Sequence, residues 1–186
     1  MSETKNPGDY QPTGEEIPSD VRVNVEIAKP EEVKQEIDRL NEIKESLGEQ
    51  LEAFLEGKVE STSAVRLAFD EAANNKIYHG LLGLPGQKGE ELYKFANSKV
   101  LERISREGEI KGFVVFTFVE VEGALKITIS DSGAEFDFQN LPDATHPDNL
   151  LSPHGRGIFF IKSMLGEKNV KFQDGGKTIE MTVPYK

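Results

Sequence analysis

The chain contains no cysteine. Disulfides, thiolate metal sites and cysteine nucleophiles are thereby excluded. It also lacks any apolar run long enough to span a bilayer. The opening stretch MSETKNPGDYQPTGEEIPSD has no apolar core of signal-peptide length, so with no export signal visible a cytoplasmic location is expected. Basic residues are in short supply, 22 against 33 acidic, for a net charge of -11. A surface that negative repels phosphate backbones, which argues against direct nucleic-acid or anionic-membrane partners. It does not forbid a compact phosphate site, because a few backbone N–H groups and a metal can dominate locally. Histidine is scarce too: His79, His146 and His154 are too scattered for a zinc site, and none pairs with a serine in a readable triad. Neither a serine hydrolase nor a metallohydrolase is supported.

What is present fits one soluble domain with a polar appendage: 186 residues, 37% apolar and 30% charged. Residues 1 to about 20, rich in Pro, Gly, Ser, Thr and acids, read as a disordered acidic tail. VRVNVEIA alternates, with Val21, Val23, Val25 and Ile27 on one side, and reads as a half-buried strand. Pro30, followed by Glu31 and Glu32, opens a helix whose stripe runs Val33, Ile37, Leu40, Leu47, Leu51 and Leu55, with a break expected at Gly48. Residues 61 to 80 predict a second helix, capped by STS, with Val65, Ala68, Phe69, Ala72 and the Lys76 stem on its apolar face. After LLGLPGQKG comes a third, bearing Leu92, Phe95, Ala96, Val100 and Ile104. GFVVFTFVEVEGALKITIS reads as two strands turning near Glu122 and Gly123. A loop over 132 to 154, a short helix from Gly157 to about Leu165, and the strands VKFQD and TIEMTVP complete the chain. This order predicts an α+β fold: a two-layer α/β sandwich, its mixed and mainly antiparallel sheet covered by helices on one face.

Several stretches carry candidate chemistry. DGGKT at 174–178 looks like the end of a P-loop, but Lys171 stands where that motif needs a glycine, and only eight residues follow Thr178, too few for the required helix. In SPHGRGIFFIKSM, Gly155 and Gly157 can let N–H groups approach an anion ahead of a helix, or form an ordinary loop-to-helix turn. Asp131, at a strand end in TISDSGAEF, can accept from an exocyclic amine such as that of adenine, or cap its own turn. In FDEAANNKIYHG, Glu71 and Asn75 stand one helical turn apart, with His79 a turn further on. They are either a solvated face or a site. Asn is a poor helix former, Asn75 can give an oxygen to Mg²⁺ beside phosphates, and Glu71 can take a proton from a hydroxyl.

Together these motifs resemble the histidine-kinase-like ATPase superfamily, shared by gyrase, Hsp90-type chaperones and sensor kinases. Within it the chain looks most like the bacterial anti-sigma factor serine-protein kinases. EAANNKIYHG resembles their N-box and DSGAEFDF their first glycine box. LPDATHPDNLLSPHGRGIFFIKSM resembles their lid and second glycine box, and GGKTIEMTV their closing strands. The resemblance covers residues 21 to 186, with an ATP lid near 137–154 and an apparent insertion near 86–108. It implies that Glu71 is the general base, Asn75 the Mg²⁺ ligand and His79 a neighbour of the phosphates. It implies that Asp131 accepts from the adenine amine, with Gly133 admitting the base and Thr178 supporting the contact. Gly155, Arg156 and Gly157 would then face the phosphates. The implied activity is a Mg·ATP-dependent serine/threonine protein kinase that phosphorylates a serine on an anti-sigma antagonist protein. Sequestration of a sigma factor and a homodimer are compatible with it. The alternative is a nucleotide-gated module that sequesters a partner without phosphorylating it. The sequence departs from the family pattern at Glu135, where many relatives have glycine, and at Lys76, where a small residue is common.

Overall fold

The computed structural model describes residues 16–84, 90–140 and 156–186, and between 90 and 97 the backbone alone. Residues 1–15, most of the expected tail, lie outside the described residues, as do 141–155, which include most of the expected lid, His146, His154 and Gly155. Five strands form one sheet in the order β1-β2-β3-β5-β4. These are β1 Asp20–Ile27, β2 Ile110–Val121, β3 Ala124–Asp131, β4 Val170–Gln173 and β5 Thr178–Pro184. Every neighbouring pair is antiparallel. The helices are α1 Glu32–Leu55, α2 Thr62–Asn74, α3 Glu90–Glu107 and α4 Arg156–Leu165. The architecture is the expected α+β one.

Strand alternation decides which side chains enter the core. Val23, Val25 and Ile27 of β1, Val114, Phe116 and Phe118 of β2, and Ile179, Met181 and Val183 of β5 are all buried. On β3 the inward set is Leu125, Ile127 and Ile129, and the same parity carries Asp131 inward at the strand's end. The β2–β3 hairpin turns where expected, with Gly123 taking φ +70°. Against this face lies α2, whose Ala68, Ala72 and Ala73 are wholly buried. Helices α1 and α4 are its close neighbours, and the segment after α2 lies close against β2 and β3. Phe69 fills the remaining depth, its ring centroid 6.0 Å from Phe116 and 6.1 Å from Phe118.

Two local expectations change. The first helix does not break at Gly48: α1 runs unbroken from Glu32 to Leu55. The Arg66 guanidinium of α2 packs where a Cβ at Gly48 would stand. That guanidinium meets Asp70 at 2.9 Å and Glu52 at 3.3 Å. The second helix is not α-helical to residue 80. It is capped by Ser61, whose hydroxyl accepts from Ala64 N at 3.1 Å, and gives way after Asn74 to a wider π turn over Asn75–Leu81. The Leu82 N–H donates to the Ile77 carbonyl at 2.9 Å, the i→i+5 spacing of such a turn.

Because Phe69 is fully enclosed between helix and sheet, Phe69→Ala is expected to lower unfolding free energy by about 3–5 kcal/mol. Urea unfolding should show the loss as a lower midpoint with an unchanged slope.

Candidate functional site

The junction of α2 with its π turn lies beneath the start of α4. Glu71 and Asn75 are half-buried there. A Cβ built on Gly157 would stand 2.8 Å from Glu71 Oε2 and 3.2 Å from Asn75 Nδ2. Glycine at 157 lets the first turn of α4 lie against the two side chains without either having to shift. Helix α4 begins at Arg156, so the N–H groups of its first turn and its positive dipole end lie beside a carboxylate and a carboxamide. Among the described residues no three His, Cys, Asp or Glu side chains form a metal cage. A cation at this place would rely on Asn75 and on ligand oxygens.

His79 points elsewhere. Its ring is exposed, and Nδ1 donates to the Leu84 carbonyl at 2.6 Å. The π turn is the cause: its wider spacing rotates residue 79 off the line that joins residues 71 and 75 in an α-helix.

Asp131 sits at the other end of the junction, 5% exposed. Its Oδ1 accepts from the Gly133 N–H at 2.7 Å, closing the expected turn. A Cβ on Gly80 would stand 2.5 Å from the carboxylate carbon, so the π turn passes directly over it. The remaining oxygen, Oδ2, is 3.4 Å from Lys76 Nζ. Lys76 is itself 3% exposed, and its ammonium also donates to the Gly176 carbonyl. Thr178, on β5, turns its hydroxyl to Asp174 Oδ2 at 2.8 Å. Burial pulls the Lys76 ammonium below the ordinary lysine range, with Asp131 acting the other way. Burial likewise pushes Asp131 above the usual carboxylate range, opposed by Lys76 and the Gly133 N–H. Each charge is costly in this place, and each offsets the other's cost.

Residues 33–183 match the Histidine kinase-like ATPase domain. The chain belongs to this family. Among curated proteins it is similar to Serine-protein kinase RsbW of Bacillus thuringiensis (strain Al Hakam), 27% identical over 142 residues, which cover 72% of this chain and 84% of that protein. It is 26% identical, over the same shares, to Serine-protein kinase RsbW of Bacillus cereus (strain AH820). In this histidine kinase-like ATPase chain, then, Glu71, Asn75 and Gly157 come together at one end of the junction and Asp131, Gly133 and Thr178 lie at the other. Arg156 is half-buried at the start of α4.

Sequence reasoning saw Lys76 as a residue on the apolar stripe and as a departure from the family pattern. It did not see that Lys76 meets Asp131. Two periodicities would have allowed the match. Positions 65, 68, 69, 72 and 76 share a helix face, and positions 125, 127, 129 and 131 share a strand face. Both faces point into the same core.

A pair of opposite charges buried this deeply makes a distinct stability pattern. Lys76→Met or Asp131→Asn alone is expected to destabilise by about 3–5 kcal/mol, by stranding its partner. The double variant should cost less than the sum of the two singles, and a double-mutant cycle in urea measures the difference.

Proposed function

We propose that the chain is a cytoplasmic regulatory serine/threonine protein kinase of anti-sigma factor type, using Mg·ATP to phosphorylate a serine on an antagonist protein. The observation that carries this reading is the packing of Glu71 and Asn75 against Gly157 at the opening of α4, in a chain of the histidine kinase-like ATPase family. The similarity to proteins named serine-protein kinases supports the choice of acceptor.

Nucleotide fits the two ends of the site differently. At the α4 end the donor set suits phosphates: N–H groups of a helix start, the Arg156 guanidinium, and a carboxamide oxygen for the cation. At the Asp131 end, a base amine can be received only after Lys76 withdraws, because its ammonium already stands 3.4 Å from the carboxylate. Bound Mg·ATP supplies the transferable phosphoryl group. In our reading Glu71 takes the proton of the attacking serine hydroxyl, and Asn75 holds the metal through its side-chain oxygen. Gly155, Arg156 and Gly157 would face the phosphates, whereas His79, bonded to the Leu84 carbonyl, takes no part. Asp131, Gly133 and Thr178 take the base. Such chemistry asks for positioning and charge neutralisation more than for covalent participation by the protein.

The Lys76–Asp131 pair favours a second reading, in which the fold holds a sigma factor or antagonist by sequestration and transfers nothing. The experiment is phosphate transfer from Mg·ATP to the serine of a co-purifying antagonist protein. Glu71→Ala is expected to lower the transfer rate by about 10²-fold or more while nucleotide affinity changes little. Transfer that persists in Glu71→Ala would remove the general-base assignment. A stable complex with no transfer in either protein would favour sequestration.

A further inference from the structure

At the Asp131 end, the molecule supplies its own occupant. The Lys76 ammonium presents an N–H donor to Asp131 Oδ2 at 3.4 Å, which is the service a base amine would perform. It completes its shell on the Gly176 carbonyl. Above it the ring of Phe136 lies 5.6 Å from the ammonium. Phe136 is anchored in turn: its N–H donates to the Gly175 carbonyl at 3.0 Å, and its ring meets Phe172 edge-on at 5.8 Å. The fit over the glycine turn is close, since a Cβ on Gly176 would stand 2.5 Å from Phe136 Cδ1. Helix floor, strand end, glycine turn and the loop after Asp131 therefore close around one ammonium.

We propose that Lys76 is an internal ligand of the base seat, which competes with nucleotide for Asp131 and must be ejected before a base amine can bind there. The proposal rests on the nucleotide reading given above. Its physical basis is charge. A base amine is a neutral donor, whereas Lys76 is a cation facing a carboxylate that is almost wholly out of water. Replacing the one by the other removes Asp131's counter-charge and forces the ammonium to a new partner or to solvent. Nucleotide therefore binds the fraction of molecules in which Lys76 has swung out, and the apparent affinity falls by that fraction. The ejection also frees the Gly176 carbonyl and the ring of Phe136, so loop 132–138 and Lys76 respond as one unit. The lysine sets affinity through the base end of the site, and leaves the contacts of Glu71 and Asn75 unchanged.

The test compares the full chain with Lys76→Met, which keeps the aliphatic stem, and Lys76→Ala, with folding of each followed by circular dichroism. ADP and ATP with Mg²⁺ are titrated calorimetrically. In parallel, wild-type Lys76 is pulse-acetylated with an N-hydroxysuccinimide ester, with and without nucleotide, and its modification is read by peptide mass spectrometry. Expected are at least tenfold tighter binding by Lys76→Met and protection of Lys76 in the ligand-free protein. Lys76 becomes reactive when nucleotide is bound. Binding by the variants with none by the wild type would support the proposal in its strongest form. Unchanged or weaker affinity in the folded variants overturns it and leaves the nucleotide reading standing. So does a Lys76 that stays protected in nucleotide-bound wild type, a result that needs no variant to fold. Absence of binding by wild type and both variants overturns it together with that reading.

Discussion

The packing of α2 and its π turn between the sheet and α4 is the constraint on which the remaining geometry depends. Ala68, Ala72 and Ala73 are wholly buried, and Phe69 meets Phe116 and Phe118 of the sheet. The helix register is thereby set to within a small fraction of a turn, because an interior at crystal-like density does not slide. Everything polar in the site inherits its position from this contact. Glu71 and Asn75 fall at the margin of the buried face, where they can meet α4. Lys76 falls on the buried face itself.

The consequence is an unusual division of the junction between α2 and the sheet. One end carries polar groups under a helix start, with glycine at the point of nearest approach. The other end carries a carboxylate brought inward by strand parity and an ammonium brought inward by helix parity. A buried charge pair of this kind adds little net stability over a well-packed apolar pair, yet it is costly to separate. It behaves as a latch rather than as a brace. If Asp131 takes the base, as we propose, such a latch would let one side chain adjust ligand affinity.

Much of this was legible in residue order. The alternation of VRVNVEIA and of the hairpin around Gly123 marks the strands, and the stripes of α1 and α2 mark their inner faces. The motif residues themselves could be named in advance. Less visible was local detail that depends on a distant neighbour. Gly48 reads as a break because glycine weakens helices, yet α1 carries it unbroken, buried beside the guanidinium of Arg66. The π turn after Asn74 leaves no mark in apolar spacing, so His79 could not be seen to leave the line of Glu71 and Asn75.

Sequence alone determined the class of fold, the strand and helix faces, and the identity of the polar residues grouped around α2, because periodicity is a local property of the chain. It placed the stem of Lys76 on an apolar stripe and Asp131 at a strand end. Tertiary structure alone decided that they face each other. That pairing joins residues far apart in the chain, and depends on how the π turn after α2 seats against the end of β3. A charge that reads locally as a departure from a family pattern is, in three dimensions, the partner of a buried carboxylate.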